Sequence, residues 1–447
     1  MSLRIWMPLN GNIKNQGLTN VETSNSGIAF TSLGKIGQSY YNTSAGKGVY
    51  IFDYMDELKT YENYSLCVWV KLVSSAHTTA SIIISNGSSP NGSNKCFLFG
   101  LYNFSSDRYT DLIVPSQGAW NTSITLSEGI ELNKWYHIVV TYDGTVTKAY
   151  VNGEYSGQRE GGGVCTDTTN TYLKIGAYSY ANTYNLNGYI NDIRIYDHCL
   201  SVKEIKEIKK SLILHYKLDG VSRIDNIEYD CSGMGNNGTV VGSPTLKGDS
   251  PKYGDSTTFA SSKYIRAGRG TMVKDELSVA LWANMGTWSY NARMISCTQS
   301  GGWNFEPHSA TTNGKMEFLV YASGGTAAYV RAQDTIKISA IPSGWHHFAG
   351  TYSKDNNKIC YYRDGVLISS ATTGSRPIGY HASNGVFVAA EANTTETTPT
   401  TPYFPGSLSD VRIYATELSP DDVAEIYHTG GSIDNHGNLF CGELKES

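Results

Sequence analysis

Proline is scarce in this chain, 12 in 447 residues, and charged side chains make up only 17% of it. A disordered chain would carry more charge and fewer aromatics, and a collagen-like or proline-rich fibre far more proline, so both classes are excluded. No run approaches eighteen consecutive apolar residues, which removes a membrane-spanning helix. The net charge of −5 leaves no basic stripe for neutralising phosphates, so neither nucleic acid nor an anionic membrane is an expected partner. Met1 runs into SLRIWMPLNG without a charged, apolar and small-residue series, and no export address is expected. The eight cysteines include no CxxC pair and no His/Cys cluster, which points to reduced, packed thiols. Walker A, GxSxG, HExxH and Rossmann strings are missing too.

What is present is a duplication. LRIWMPLNG, from Leu3, returns as LILHYKLDG from Leu212, and YSLCVWVKL at Tyr64 returns as ELSVALWANM at Glu276. KWYHIVVTYDGTVTKAYVNGE at Lys134 answers to GWHHFAGTYSKDNNKICYYRDGV at Gly344, and LNGYINDIRIYDHCLSVKEIKEI from Leu186 to FPGSLSDVRIYATELSPDDVAEI from Phe404. The order never breaks, so each half is one unit. The seam near Lys210 to Leu212 has no linker composition. The expected domains are 1–210, 211–430 and a C-terminal hairpin or tail, 431–447, with Ile433, Leu439 and Phe440 around a DNHGN turn.

Period-two alternation runs through both halves. In WYHIVVTYD, Tyr136, Ile138, Val140 and Tyr142 face one way and Trp135, His137, Val139 and Thr141 the other. YDGT, VNGE, RDGV and GNNG supply the positive φ of tight turns. Ser201 to Lys210 and Ser419 to His428 read as short helices, each opened by a Ser cap. In IRIY and VRIY, Ile193, Ile195, Val411 and Ile413 should enter the core, with Arg194, Tyr196, Arg412 and Tyr414 on the opposite face. The fold class is therefore all-β: two tandem antiparallel β-sandwiches, with a short helix after the last strand of each.

The series of a strand ending LDG, then DxSGxGNNG, a Trp strand, WxHxxxTY with a hairpin, and GxxxDVRIYxxxLSxxEI resembles the laminin G-like group of the concanavalin A-like lectin and glucanase superfamily. The resemblance spans essentially Met1 to Gly430. It implies jelly-roll sandwiches with a concave face and a rim of loops, used for binding glycans or proteins. The closing IDNHGNLFCGELKES is similar to the coda of phage structural proteins.

The superfamily includes glycoside hydrolases, but the ExDxxE run of laminarinase-like enzymes is absent. Glu317 in GKMEFLVY and Glu391 in VFVAAEAN are the carboxylates that could pair on a concave face, without acidic counterparts near Phe97 to Leu101 or Ala177 to Tyr178 in the first repeat. His137, His346 and His347 belong to the WxH strand and are read as packed. The resemblance also implies a calcium ion at the rim, for which Asp219, Asp230 and Asp410 are suited; the first repeat has Asn10 in place of the first acid and keeps only Asp192.

Sugar sites need aromatic faces beside polar groups. Trp69, Trp135, Trp282 and Trp345 recur between repeats and are assigned to the core. Trp120, Trp288 and Trp303 are unmatched and lie in loop-like strings, and Tyr178, Tyr180 and Tyr184 crowd AYSYANTYN; with Glu391 these are the candidate ligand residues. The expected function is a non-catalytic binding and structural protein, a phage tail, fibre or capsid-surface component assembled in the host cytoplasm, homo-oligomeric and recognising a bacterial surface glycan. An extracellular or cell-surface location is the alternative. A scaffold binding other virion proteins is the second reading of function, and a hydrolase using Glu317 and Glu391 the third.

Overall fold

The computed structural model describes residues 2–31, 34–42, 47–54, 58, 61–74, 79–86, 97–115, 123–161, 172–178, 184–286, 292–298, 301–308, 314–322, 329–380, 385–391, 399, 403–429, 432–433 and 439–440. The chain divides into two compact units, Met1–Lys209 and Lys210–Ser447.

In the first unit one sheet runs Glu154–Glu160, Val146–Val151, Tyr136–Tyr142, Tyr64–Leu72, Gly188–Tyr196, Ser39–Asn42 and Ala29–Thr31, with Leu3–Met7 also paired to Gly188–Tyr196. The other runs Ser123–Glu131, Arg108–Ile113, Leu98–Ser105, Ala80–Ser85, Tyr172–Ile175, Gly48–Phe52 and Thr23–Ser26. Alternation explains how they meet. Leu66, Val68, Ile138 and Val140 from the first sheet share one apolar cluster with Val49, Ile51, Phe99, Leu112 and Leu173 from the second, and Tyr136 and Tyr142 pack against it. Each such aliphatic side chain stabilises the fold by roughly 1.5–3 kcal/mol on burial.

The second unit repeats the plan. Its eight-stranded sheet centres on Ser407–Tyr414, Glu276–Asn284 and Trp345–Ser353. Its nine-stranded sheet ends in the order Tyr264–Gly268, Val386–Val388, Ile295–Thr298, Gly302–His308, Lys315–Tyr321, Tyr329–Gln333. Between the sheets the Phe305 ring lies 5.5 Å from Phe318, 6.1 Å from Phe348 and 5.8 Å from Tyr361. Gly350 permits that approach, since a Cβ there would stand 2.2 Å from the Phe318 ring. The helices are Val202–Lys209 and Pro420–Thr429. Val423 and Ile426 of the latter cover Ala280, Ala349, Tyr362 and Tyr414, so the face of the VRIY strand turned away from the core is buried as well. In the closing segment Ser432–Ile433 and Leu439–Phe440 pair antiparallel.

The repeated DIR and DVR strings form one device in both units. Asp192 and Asp410 sit at φ 54° and 53° where the register shifts, and each turns its carboxylate onto the Arg two residues later. Arg194 donates to both oxygens of Asp192 at 2.9 Å, and Arg412 Nε to Asp410 Oδ1 at 2.7 Å. A residue of the first strand completes each: Trp6 Nε1 donates to Asp192 at 2.7 Å, and His215 Nε2 lies 2.9 Å from Asp410. Burial alone would raise the Asp410 carboxyl, but the Arg412 guanidinium and His215 hold it well below the usual carboxylate range.

The units differ at one tight turn. Gly176 has φ +84°, and a Cβ there would lie 2.1 Å from the Tyr40 hydroxyl, which donates to the Ile175 carbonyl. Ala389 holds the same place in the second unit at φ 66°. Thr257 stands there where Tyr40 stands in the first unit, each paired to the strand that follows the turn, through Leu408 and Ile190 respectively.

Candidate functional site

Inward placement of Phe305 and Phe318 sends their neighbours to the outer face of the nine-stranded sheet. Asn304, Glu306 and His308 emerge from one strand, Glu317 from the next and Arg331 and Gln333 from the edge strand, and the register sets Glu306, Glu317 and Gln333 in one row. Glu306, His308 and Glu317 each place a potential ligand atom within 4.8 Å of the others, the one such trio of His, Cys, Asp or Glu among the described residues.

These charges are mostly covered. The Glu317 side chain is 0% exposed, whereas Arg331 is 35% and His308 40% exposed. Glu317 Oε2 accepts a 2.7 Å hydrogen bond from Gln333 and faces Arg331 Nη1 at 3.5 Å, while Oε1 lies 3.2 Å from His308 Nδ1. Arg293 pairs with Glu306 through Nη1 and with Glu391 through Nη2, the latter at 3.4 Å. Asn304 Nδ2 donates to Glu306 Oε1 at 3.2 Å. Burial pushes the Glu317 carboxyl up to about 7 against the pull of Gln333, Arg331 and Arg293. It also lowers Arg293, and lowers His308 with help from Arg331 and Arg293. At the rim Tyr329 is exposed, with Arg331 Cζ 5.6 Å from its ring centre and Tyr321 edge-on at 6.1 Å. The arrangement joins an aromatic surface to fixed cations and anions, the combination that orients sugar hydroxyls.

The first unit shows that the fold does not require this charge. Ser85 and Ser296 occupy one lattice point, each donating its hydroxyl to a carbonyl after the next strand, Ala177 at 3.0 Å and Ala390 at 2.9 Å. Counting from that anchor, Ile82 stands where Arg293 is, Leu98 where Asn304 is, Gly100 where Glu306 is, Tyr102 where His308 is, Ile113 where Glu317 is and Tyr178 where Glu391 is. In the first unit Ile82, Leu98, Ile113 and Tyr178 form an apolar cluster with Tyr102 and Tyr184 packed on it. The same sheet carries Tyr50, Phe52, Tyr172 and Lys174 further along its outer face, partly exposed rings 5.3–6.1 Å apart with Lys174 Nζ 5.3 Å from the Tyr50 ring centre.

The candidate ligand residues fare unevenly. Trp120, Tyr180 and Trp288 lie outside the described residues. Trp303 is corrected: it belongs to a strand, is 0% exposed and packs in the core where Phe97 stands in the first unit. Tyr178 is likewise buried, 6.4 Å from the half-buried Tyr184, and so offers no open stacking face. Glu391, one-fifth exposed, joins the charged cluster through Arg293. Trp69 and Trp282 are buried, their rings tilted against His137 and His347, but Trp135 and Trp345, at the starts of their strands, are only partly buried.

The three acids expected to hold calcium, Asp219, Asp230 and Asp410, each accept hydrogen bonds from the protein. Asp219 Oδ1 accepts from Val221 N, Ser222 N and Ser222 Oγ; Asp230 takes the backbone N–H groups of His215, Ser232 and Asn236; Asp410 is committed to Arg412 and His215. They cap loops and satisfy buried donors. Glu306, His308, Arg331 and the Tyr50 group went unnoticed in the sequence, although WNFEPH and GVYIF both alternate.

A laminin G-like model of the concanavalin A-like lectin/glucanases superfamily matches residues 44–206 and 259–424, and the chain belongs to that superfamily. No protein of curated function matches it. Among solved structures, domain 4 of an extracellular GH43 arabinanase from Geobacillus stearothermophilus, in complex with arabinotriose, is 20% identical with a TM-score of 0.38, covering 48% of this chain and 98% of its own. A Trypanosoma rangeli sialidase with the inhibitor DANA is 16% identical at 0.36, over 47% of this chain and 33% of its own. The CBM40 of a Ruminococcus gnavus IT-sialidase is 15% identical at 0.30, over 37% and 94%. Carbohydrate-binding and glycoside-hydrolase chains are thus both among its structural neighbours.

Proposed function

We propose that the chain is a non-catalytic glycan-binding protein that contacts sugars through the outer face of the second unit's larger sheet. The observation that carries this reading is the polar cluster at Arg293, Asn304, Glu306, His308, Glu317 and Glu391, standing where the first unit has apolar residues and glycine. Buried charge is costly, so a sandwich that folds with an apolar patch at that place has no structural need of an ionic one. Tyr329, Tyr321 and Arg331 form the accessible wall, and the covered carboxylates hold the cations in position. Shallow sites of this kind gain strength from two units and from copies in an oligomer. The resemblance of the closing segment to phage structural codas supports a place on a virion surface, with a bacterial glycan as partner.

Titration calorimetry against bacterial cell-wall oligosaccharides tests the reading. Tyr329→Ala and Arg331→Ala are each expected to weaken binding by about tenfold, with no reducing sugar released. Unchanged affinity in both variants would sink it and favour a protein-binding scaffold. A hydrolytic second reading has one observation behind it. The Glu306 and Glu317 carboxylates lie within 4.8 Å, near the ~5 Å spacing of retaining glycosidases, with Glu317 raised as an acid would be. Sugar release abolished by Glu317→Gln would establish it.

A further inference from the structure

We propose that the second unit binds one divalent transition-metal ion of the zinc or manganese kind through Glu306, His308 and Glu317, with the Asn304 amide oxygen beside them. One imidazole and two carboxylates suit such ions, whereas calcium favours an all-oxygen shell. Three ligand atoms within 4.8 Å of one another need only small side-chain rotations to reach the roughly 3.3 Å spacing around an ion with ~2.0–2.2 Å bonds.

Two further observations point to a ligand. Glu317 Oε1 and Asn304 Oδ1 are both buried and accept no hydrogen bond among the described residues, His308 Nδ1 lying 3.2 Å from Oε1 but outside hydrogen-bond geometry. Buried acceptors are ordinarily satisfied, and a cation held between Glu317 Oε1 and the His308 imidazole would complete the first, with Asn304 Oδ1 on the side chain that donates to Glu306. His308 contributes Nδ1, the atom turned to Glu317. Moreover, the first unit has Leu98, Gly100, Tyr102 and Ile113 at the four corresponding places, none able to serve as a carboxylate or imidazole ligand, so the donor set is particular to the second unit.

Other charged groups face the cluster. Arg293 engages Glu306, and Arg331 approaches Glu317. Arg293 is also paired with Glu391, so an ion taking Glu306 leaves the guanidinium a carboxylate partner. Arg331 is partly exposed and can turn to solvent over the Tyr329 ring.

The full chain, stripped with chelator and desalted, is titrated calorimetrically with Zn2+, with Mn2+ and Ca2+ as comparisons. One equivalent of Zn2+ is expected to bind, unaffected by excess Ca2+, with affinity falling about tenfold or more in Glu317→Gln and in His308→Ala. His308 is 40% exposed, so its removal leaves the core untouched, and circular dichroism verifies that both variants are folded. Zn2+ affinity and stoichiometry unchanged in folded His308→Ala would overturn the site, as would the absence of any tight equivalent in the parent chain. Because the readout is metal binding alone, failure here is distinguishable from failure of glycan recognition, which Tyr329→Ala reports.

Discussion

Among the described residues Arg412 is the largest charged side chain fully removed from solvent, and its pairing with Asp410 has a mate in Arg194 and Asp192. Deleting one partner of such a pair strands the other charge in the interior. Arg412→Met is therefore expected to destabilise the second unit by about 3–5 kcal/mol, read as a lowered midpoint in urea unfolding. A second residue-scale effect concerns histidine. Burial against Trp282 pushes the His347 imidazole down to about 3, and neither ring nitrogen has a hydrogen-bond partner among the described residues. An unfolded histidine takes its proton near pH 6.5, so between about 6.5 and 3 the unfolded state binds the extra proton and stability falls as pH falls. This residue supplies a slope of up to about 1.4 kcal/mol per pH unit, which His347→Gln should remove; an unchanged slope would mean that the ring is charged in the fold.

At the scale of elements, strands and helices were legible because alternation and Ser caps are local signals. The capping is visible in the structure: Ser419 Oγ accepts from Asp422 N at 3.2 Å, and Asp422 Oδ2 accepts from Ser419 N at 2.9 Å. Trp303 was misplaced because SGGWNFEPH looks like a loop, yet its strand begins at Gly302 and turns the indole inward. The charged cluster was hidden for a different reason. Glu317 and Glu391 were picked out as strand carboxylates, but Arg293, Glu306 and His308 join them only through cross-strand register, which no single string encodes. Register also explains the tolerance of the sheet interface. Gly350→Ala drives a methyl into the Phe318 ring and should cost at least about 1–3 kcal/mol, measurable as a drop in Tm; a neutral result would mean that the layers can separate there.

At the scale of the molecule, one frame is presented twice with different surfaces. The first unit offers Tyr50, Phe52 and Tyr172 around a single lysine, the second a ring of paired charges beside Tyr329. Stacking is insensitive to ionic strength, while partly exposed charges are screened over ~10 Å at 0.1 M salt. Raising salt from about 0.05 to 0.5 M should therefore weaken glycan binding that depends on Arg331 and leave any that depends on Tyr50 unaltered, as titration of Arg331→Ala and Tyr50→Ala will show. Equal salt response in both variants would argue that one surface alone is used.

The turn at Gly176 constrains how the duplicated halves came to differ. A phenol at position 40 leaves no volume for a methyl at 176, whereas Thr257 leaves Ala389 its space despite the left-handed backbone. The tyrosine at 40 is compatible only with a residue lacking a Cβ at 176, so the two positions are coupled and a chimera that exchanges only one of them between halves inherits a collision.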